Sequence, residues 1–200
     1  MIKLKNKYVV GCHIMFYEIE MVEEYLQSFA NMLETVENKE NVFLDLCFNM
    51  SQYMEDMSDD VDVIHFRNRF RELRNDVGRI AFGNSDNYTT RNQWMVNNFT
   101  WTEKTDEDEL YNNPSYRRDL NYNWCDKVDF VLWGETDSLW PKETFQSIES
   151  VSEYANQQNI NRYILTFAYR KMWDDGWKPL EHVDMTDLPF VGGEEWNLNA

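Results

Sequence analysis

The chain has 200 residues, of which 42% are apolar and 16% aromatic. This is the length of one ordinary domain with enough apolar residues for a core. The scarcity of Gly and Pro, the lack of repetitive tracts and the high aromatic content argue against disorder and against a repeat architecture. The formal net charge of −17 would repel phosphate backbones, so we expect no direct binding to nucleic acid.

The chain also lacks the patterns of a membrane or disulfide-bonded protein. No run approaches the roughly 18 to 20 apolar residues that cross a bilayer. Cys12, Cys47 and Cys125 are widely spaced, which is typical of structural thiols in a reducing compartment. We therefore expect a soluble, cytoplasmic protein.

The first half of the chain alternates between strand-like and helix-like segments. Residues 8–14 predict a strand, and apolar residues at steps of three and four predict a helix over residues 19–33. Residues 42–48 and, after an acidic turn, residues 61–66 predict two further strands. Residues 67–113 show no clear periodicity, and no element is assigned to them.

Regular patterns return in the second half. A short helix is predicted at residues 115–125 and a strongly apolar strand at residues 130–133, where Trp133 is expected to pack in the core. Pro141 opens a helix that continues to about residue 158, and residues 163–169 predict a last strand. This alternation predicts one α/β domain with a mainly parallel central sheet flanked by helices.

Two carboxylates, Glu135 and Asp137, follow the strongly apolar strand. In an extended segment residues i and i+2 project to the same side, so both acids can approach one ion. Hard oxygen ligands favour Mg²⁺ or Mn²⁺, which leave coordination positions for substrate phosphates. Ligands of parallel α/β sheets bind at the carboxyl ends of strands, which adds His13, Asp45 and Asn49 as candidate binding residues.

The run from this strand through Glu135-Thr136-Asp137 to Pro141 resembles the DxD element of glycosyltransferases of GT-A fold. The resemblance is greatest to the large inverting group that includes cellulose, chitin and O-antigen transferases. It implies a single GT-A (Rossmann-like) domain over residues 1–200, with a nucleotide half at about 1–140 and an acceptor half at about 141–200. It also implies that Asp137 binds Mn²⁺ or Mg²⁺ and that Glu135 contacts the ribose or assists the metal. His182 is a candidate third metal ligand.

The same resemblance implies a nucleotide-binding site near the ends of the first two strands. His13, Phe16 and Tyr17 lie where such enzymes begin to enclose the base, and Asp45 resembles the acid that contacts uracil or ribose. Arg118 belongs to a segment that resembles the Arg-Asn element upstream of the DxD. Core packing is the open alternative for His13, Phe16 and Tyr17.

Near the end of the chain, residues 192–196 read Gly-Gly-Glu-Glu-Trp and resemble the Gly-Gly-Glu-Asp-Trp element that inverting GT-A enzymes place beside the acceptor. The glycines allow the backbone to approach a sugar, and a carboxylate can take the proton of the attacking hydroxyl. The resemblance implies that Glu195 is this base, with Glu194 beside it. The alternative is an exposed acidic tail. Aromatic and acidic candidates for an acceptor pocket are Trp173, Asp175, Trp177 and Trp196.

These patterns predict transfer of a sugar, with inversion, from a nucleoside-diphosphate sugar to an acceptor hydroxyl of a carbohydrate or another molecule. One alternative is an inactive or incomplete GT-A-like domain that binds nucleotide sugar or glycan without turnover. A second alternative, suggested by the net charge alone, is an acidic protein that mimics DNA.

Overall fold

The computed structural model describes residues 1–50, 63–82, 88–105 and 111–165. Within these ranges four parallel strands form one sheet in the order β3-β2-β1-β4. The strands are β1 (Tyr8–Met15), β2 (Val42–Asn49), β3 (Phe99–Lys104) and β4 (Phe130–Glu135). The predicted α/β class with a parallel sheet is confirmed, and the strand order is Rossmann-like.

Helices cover both faces of this sheet. A 3-10 helix (Phe16–Met21) follows β1, and the α-helices of the described ranges are α1 (Val22–Glu34), α2 (Val63–Phe82), α3 (Tyr88–Asn98), α4 (Asn113–Trp124) and α5 (Thr144–Gln157). Alternate residues of a strand face opposite sides. Accordingly, Tyr8 and Val10 pack in the large core with α1, α2 and α5, while Val9 packs in a smaller core under α4. The described domain therefore has three layers.

The strand predicted at residues 61–66 is wrong, because helix α2 begins at Val63. The decisive apolar residues lie further along, where buried Phe70, Leu73, Val77 and Ile80 recur at helical spacing. This stripe packs in the large core beside α1. The region for which the sequence indicates no element thus contains most of α2, all of α3 and strand β3.

The remaining strand and helix predictions agree with the structure to within a few residues, except at the last strand. Residues 163–165 are not part of a strand, and residues 166–169 lie outside the described ranges. Cys12 and Cys47 are buried as expected, whereas Cys125 is exposed at the end of α4. None of the helices described here is both long and apolar enough to cross a bilayer.

Candidate functional site

Polar residues gather where β1, β2 and β4 end. His13 of β1 lies opposite Glu135 of β4 in the sheet register, and Met15 lies opposite Asn49 of β2. The side-chain amide of Asn49 is 3.0 Å from Nε2 of His13 and donates to the carbonyl oxygen of Tyr111 at 2.6 Å. The strand order reverses between β1 and β4, and this switch point is where open α/β sheets bind ligands.

Glu135 is held by the side of helix α4 that faces β4. Arg117 forms an ion pair with Oε1 of Glu135, and the amide of Asn113 donates to the same oxygen at 3.3 Å. Arg118, which the sequence favoured, is exposed and pairs with Asp119 instead. The signal for Arg117 is the i, i+4, i+8 spacing of Asn113, Arg117 and Asn121, which places all three on one helix face.

Asp137 lies in the turn that follows β4. The hydroxyl of Ser138 donates to Oδ1 of Asp137 at 3.2 Å, and the Ser138 amide donates to the Glu135 carbonyl oxygen at 3.0 Å. This turn keeps both acids at the carboxyl end of the strand. Unlike Glu135, Asp137 has no ion pair with a cationic side chain in the described part of the chain.

Glu18 is a third acid near this turn, and no sequence pattern indicated it. It lies on the 3-10 helix after β1, and its Oε2 accepts a hydrogen bond from the Met15 amide at 2.9 Å. Burial raises the pKa of Glu18 from 4.5 to about 7, and the negative charges of Asp137 and Glu135 add to this effect. Three acids, Glu18, Glu135 and Asp137, therefore gather at the switch point.

The raised pKa of Glu18 predicts how stability depends on pH. The folded chain holds this proton more tightly than the unfolded chain, so the stabilisation is complete below pH 4.5 and is lost as the pH rises through 7. We expect Glu18 to lower the free energy of unfolding by about 2 kcal/mol across this window, less than the full shift implies because the side chain is partly exposed.

The measurement is urea unfolding of wild type and Glu18→Gln across the same pH window. The stability of wild type relative to Glu18→Gln should fall as the pH rises. Glu24→Gln, which removes an exposed acid of the neighbouring helix α1, controls for the loss of one charge. If wild type and Glu18→Gln had parallel pH profiles of stability, the raised pKa of Glu18 in the folded chain would be contradicted.

His13 is a neutral side chain in this site. Burial and the nearby Arg117 cation lower the pKa of His13 from 6.5 to about 4. Its ring stacks on that of Tyr116 at 5.6 Å between centroids and is covered by α4. Because a neutral Nε2 accepts the hydrogen that the Asn49 amide donates, the ring proton resides on Nδ1.

Several of the residues predicted to bind nucleotide lie in the interior instead. Phe16 is fully buried in the large core, and Asn49 is also fully buried, whereas Tyr17 is half exposed. Asp45 accepts hydrogen bonds from the Tyr116 hydroxyl at 3.1 Å and the Trp124 indole at 2.9 Å. Both carboxylate oxygens of Asp45 thus anchor α4 to the sheet, which corrects the expectation that this acid faces a ligand.

A cavity of about 950 Å³ extends along the outer side of β4. Its lining includes Arg117, Trp133, Glu135, Trp140 and residues 160–165. On the inner side β4 passes so close to Tyr25 that a Cβ atom on Gly134 would lie 2.2 Å from the Tyr25 hydroxyl. Only glycine, which has no Cβ atom, permits this approach. The end of β4, just before the turn that carries Asp137, therefore packs directly against the core residue Tyr25.

The predicted catalytic and acceptor residues and the candidate third metal ligand are not part of the described site. They all lie beyond residue 165, outside the described ranges. They are Glu194, Glu195, His182, Trp173, Asp175, Trp177 and Trp196.

The donor set at the end of β4 fits a divalent cation only in part. In the ranges that the structure describes, no group of three or more His, Cys, Asp and Glu side chains could hold a metal ion. Glu135 is already neutralised by Arg117. The arrangement suits an ion that takes one or two carboxylates from the protein and its other ligands from water and substrate phosphates, as Mg²⁺ commonly does.

Comparisons with known proteins give no relative from which a role for this site could be taken. Searches of protein-family models, of curated protein sequences and of solved structures found no match to this chain.

Proposed function

We propose that this chain is a metal-dependent glycosyltransferase domain of GT-A type. It transfers a sugar, with inversion, from a nucleoside-diphosphate sugar to an acceptor hydroxyl in the cytoplasm. The observation that supports this most is the position of Glu135 and Asp137 at the carboxyl end of β4, beside β1, where the strand order reverses. Nucleotide ligands of open parallel sheets bind in this crevice.

Asp137, assisted by Glu135, would hold the Mn²⁺ or Mg²⁺ together with the donor's phosphates. When bound, the cation neutralises the charge that develops on the departing diphosphate. Asp137 suits this role because the described structure gives it a hydroxyl partner, Ser138, and no cationic one. Glu135 is suited to orientation, since Arg117 and Asn113 fix its carboxylate.

Two buried polar residues would fix the shape of the donor site. His13 and Asn49 form a neutral hydrogen-bonded pair at the end of the crevice, so they can shape it without adding charge. Glu195, with Glu194 beside it, remains the proposed base for the acceptor hydroxyl, and His182 the proposed additional metal ligand. Their roles rest on the resemblance of the terminal segment to inverting GT-A enzymes.

A thermal-shift screen of nucleoside diphosphates, with and without Mn²⁺, tests this proposal. A ligand that binds only the native state must stabilise it, by about 2.7 kcal/mol at a concentration of 100 times Kd. We expect one nucleoside diphosphate to raise Tm, and Mn²⁺ to increase that rise. A Tm that no nucleoside diphosphate changes in the presence of Mn²⁺ would overturn the proposal.

The ion pair between Arg117 and Glu135 supports one alternative, a domain that binds nucleotide sugar without transferring it. With Glu135 neutralised, the site has less negative charge with which to attract a metal. Donor hydrolysis distinguishes the two functions. Stabilisation by a nucleotide sugar without any release of nucleoside diphosphate, with all acceptors tried, would favour the alternative.

A further inference from the structure

Trp133 is exposed in a place where a core residue was expected. Although it lies within β4, its side chain is 45% exposed. It lies on the α4 side of the sheet and lines the 950 Å³ cavity. Leu132, the preceding residue of β4, is by contrast buried in the large core.

The indole ring is held in a fixed orientation by the polar face of α4. The indole N–H donates to Oδ1 of Asn121 at 3.3 Å. The guanidinium of Arg117 lies 5.7 Å from the centre of the ring. Both partners are spaced i and i+4 on one helix, so a single rigid element fixes the ring from its edge and its face.

Hydrogen-bonding groups surround this ring on the cavity side. Glu135 is two residues further along β4 and therefore projects to the same face as Trp133. Arg117 connects the two, because it forms an ion pair with Glu135 and also lies over the indole. The cavity wall thus combines an aromatic surface with a guanidinium and a carboxylate, and the amide of Asn121 lies at the edge of the indole ring.

This combination matches the chemistry of a pyranose sugar. One face of a pyranose carries C–H groups that stack on an aromatic ring, and its rim carries hydroxyls that pair with carboxylate, amide and guanidinium groups. We propose that Trp133 is a stacking platform for a pyranose ring, whose hydroxyls bind Asn121, Arg117 and Glu135. Taking this sugar to be the acceptor rests on the proposed function, whereas the sugar site itself does not.

The test is a titration of ¹⁵N-labelled protein with methyl pyranosides of glucose, galactose, mannose and N-acetylglucosamine and with their disaccharides. Trp133→Phe identifies the indole N–H signal of Trp133. We expect that signal to shift saturably with at least one of these sugars. By ligand-observed NMR, Trp133→Ala should weaken its binding by about tenfold or more, and Trp133→Phe, which keeps a ring, by less.

Tyr122→Ala is the matched control, because Tyr122 is an exposed aromatic residue on α4 with 84% of its surface accessible. It should bind the sugar as wild type does. The inference is overturned if no sugar moves the Trp133 signal, or if Trp133→Ala binds as tightly as wild type. Sugar binding at Trp133 without any response to nucleoside diphosphates would uphold this site and overturn the proposed function. Stabilisation by a nucleoside diphosphate without any sugar binding at Trp133 would uphold the proposed function and overturn this site.

Discussion

Replacing Asp137 by Asn should lower metal-dependent release of nucleoside diphosphate from its sugar donor by at least about a hundredfold. Loss of one charge-stabilising contact to a transition state commonly costs 10²–10³ in turnover. The substitution keeps the size of the side chain and an oxygen that can accept from Ser138. We therefore expect the melting temperature to change little, so that the lost activity reports on the site and not on folding.

Asp126→Asn is the control for this measurement. Asp126 is an exposed acid in the turn that precedes β4, at the opposite end of the strand from Asp137. Turnover should be unchanged in this variant, because the substitution alters net charge as Asp137→Asn does but lies away from the crevice. Wild-type turnover in Asp137→Asn, or an equal loss in both variants, would contradict the proposed role of Asp137.

The sheet could be predicted because its central strands are continuous apolar runs. Strands β1 and β2 lie at the centre of the sheet and are buried by helices, and the edge strand β4 is also an apolar run, so all three carry a local signal in their sequences. Helix α2 was missed at its start, where β-branched residues favour a strand. The helical conformation of α2 is instead set by the apolar stripe from Phe70 to Ile80, which packs against α1.

The meeting of polar residues at one edge of the sheet also followed from the sequence, since parallel strands bring their carboxyl ends together there. His13, Asn49 and Glu135 do meet there. Which neighbour each polar residue contacts could not be predicted. The choice of Arg117 over Arg118 depends on the face that α4 turns to β4, and that face is set by the packing of Tyr116 and Leu120.

The sequence also could not predict which residues of a strand are exposed. Trp133 and Leu132 are adjacent apolar residues of β4, yet Trp133 is 45% exposed and Leu132 is buried in the large core. The sequence cannot show how far α4 extends over the edge of the sheet, and this coverage decides the exposure of Trp133. Glu18 was missed for a similar reason, since its burial arises from the fold of the short helix after β1.

Asp45 illustrates how a buried acid can be mistaken for a ligand contact, and it provides the largest expected effect on stability. Its partners Tyr116 and Trp124 lie 71 and 79 residues away in the chain, so no local pattern could reveal them. In Asp45→Ala the Tyr116 hydroxyl keeps the Asp45 carbonyl oxygen as an acceptor at 2.8 Å. The Trp124 indole N–H, by contrast, loses its acceptor inside the protein.

We expect Asp45→Ala to lower the free energy of unfolding by about 2 to 3 kcal/mol, because it leaves a buried donor unpaired. The loss is not larger because burial, which raises the pKa of Asp45, already disfavours its charged form. Asp45→Asn should cost only about 1 kcal/mol, since the amide oxygen can still accept from Trp124. Urea unfolding of both variants measures this, with exposed Asp126→Ala as the control. If Asp45 instead contacted nucleotide, Asp45→Ala would unfold at the wild-type urea midpoint and lose nucleotide binding, which is the opposite pattern.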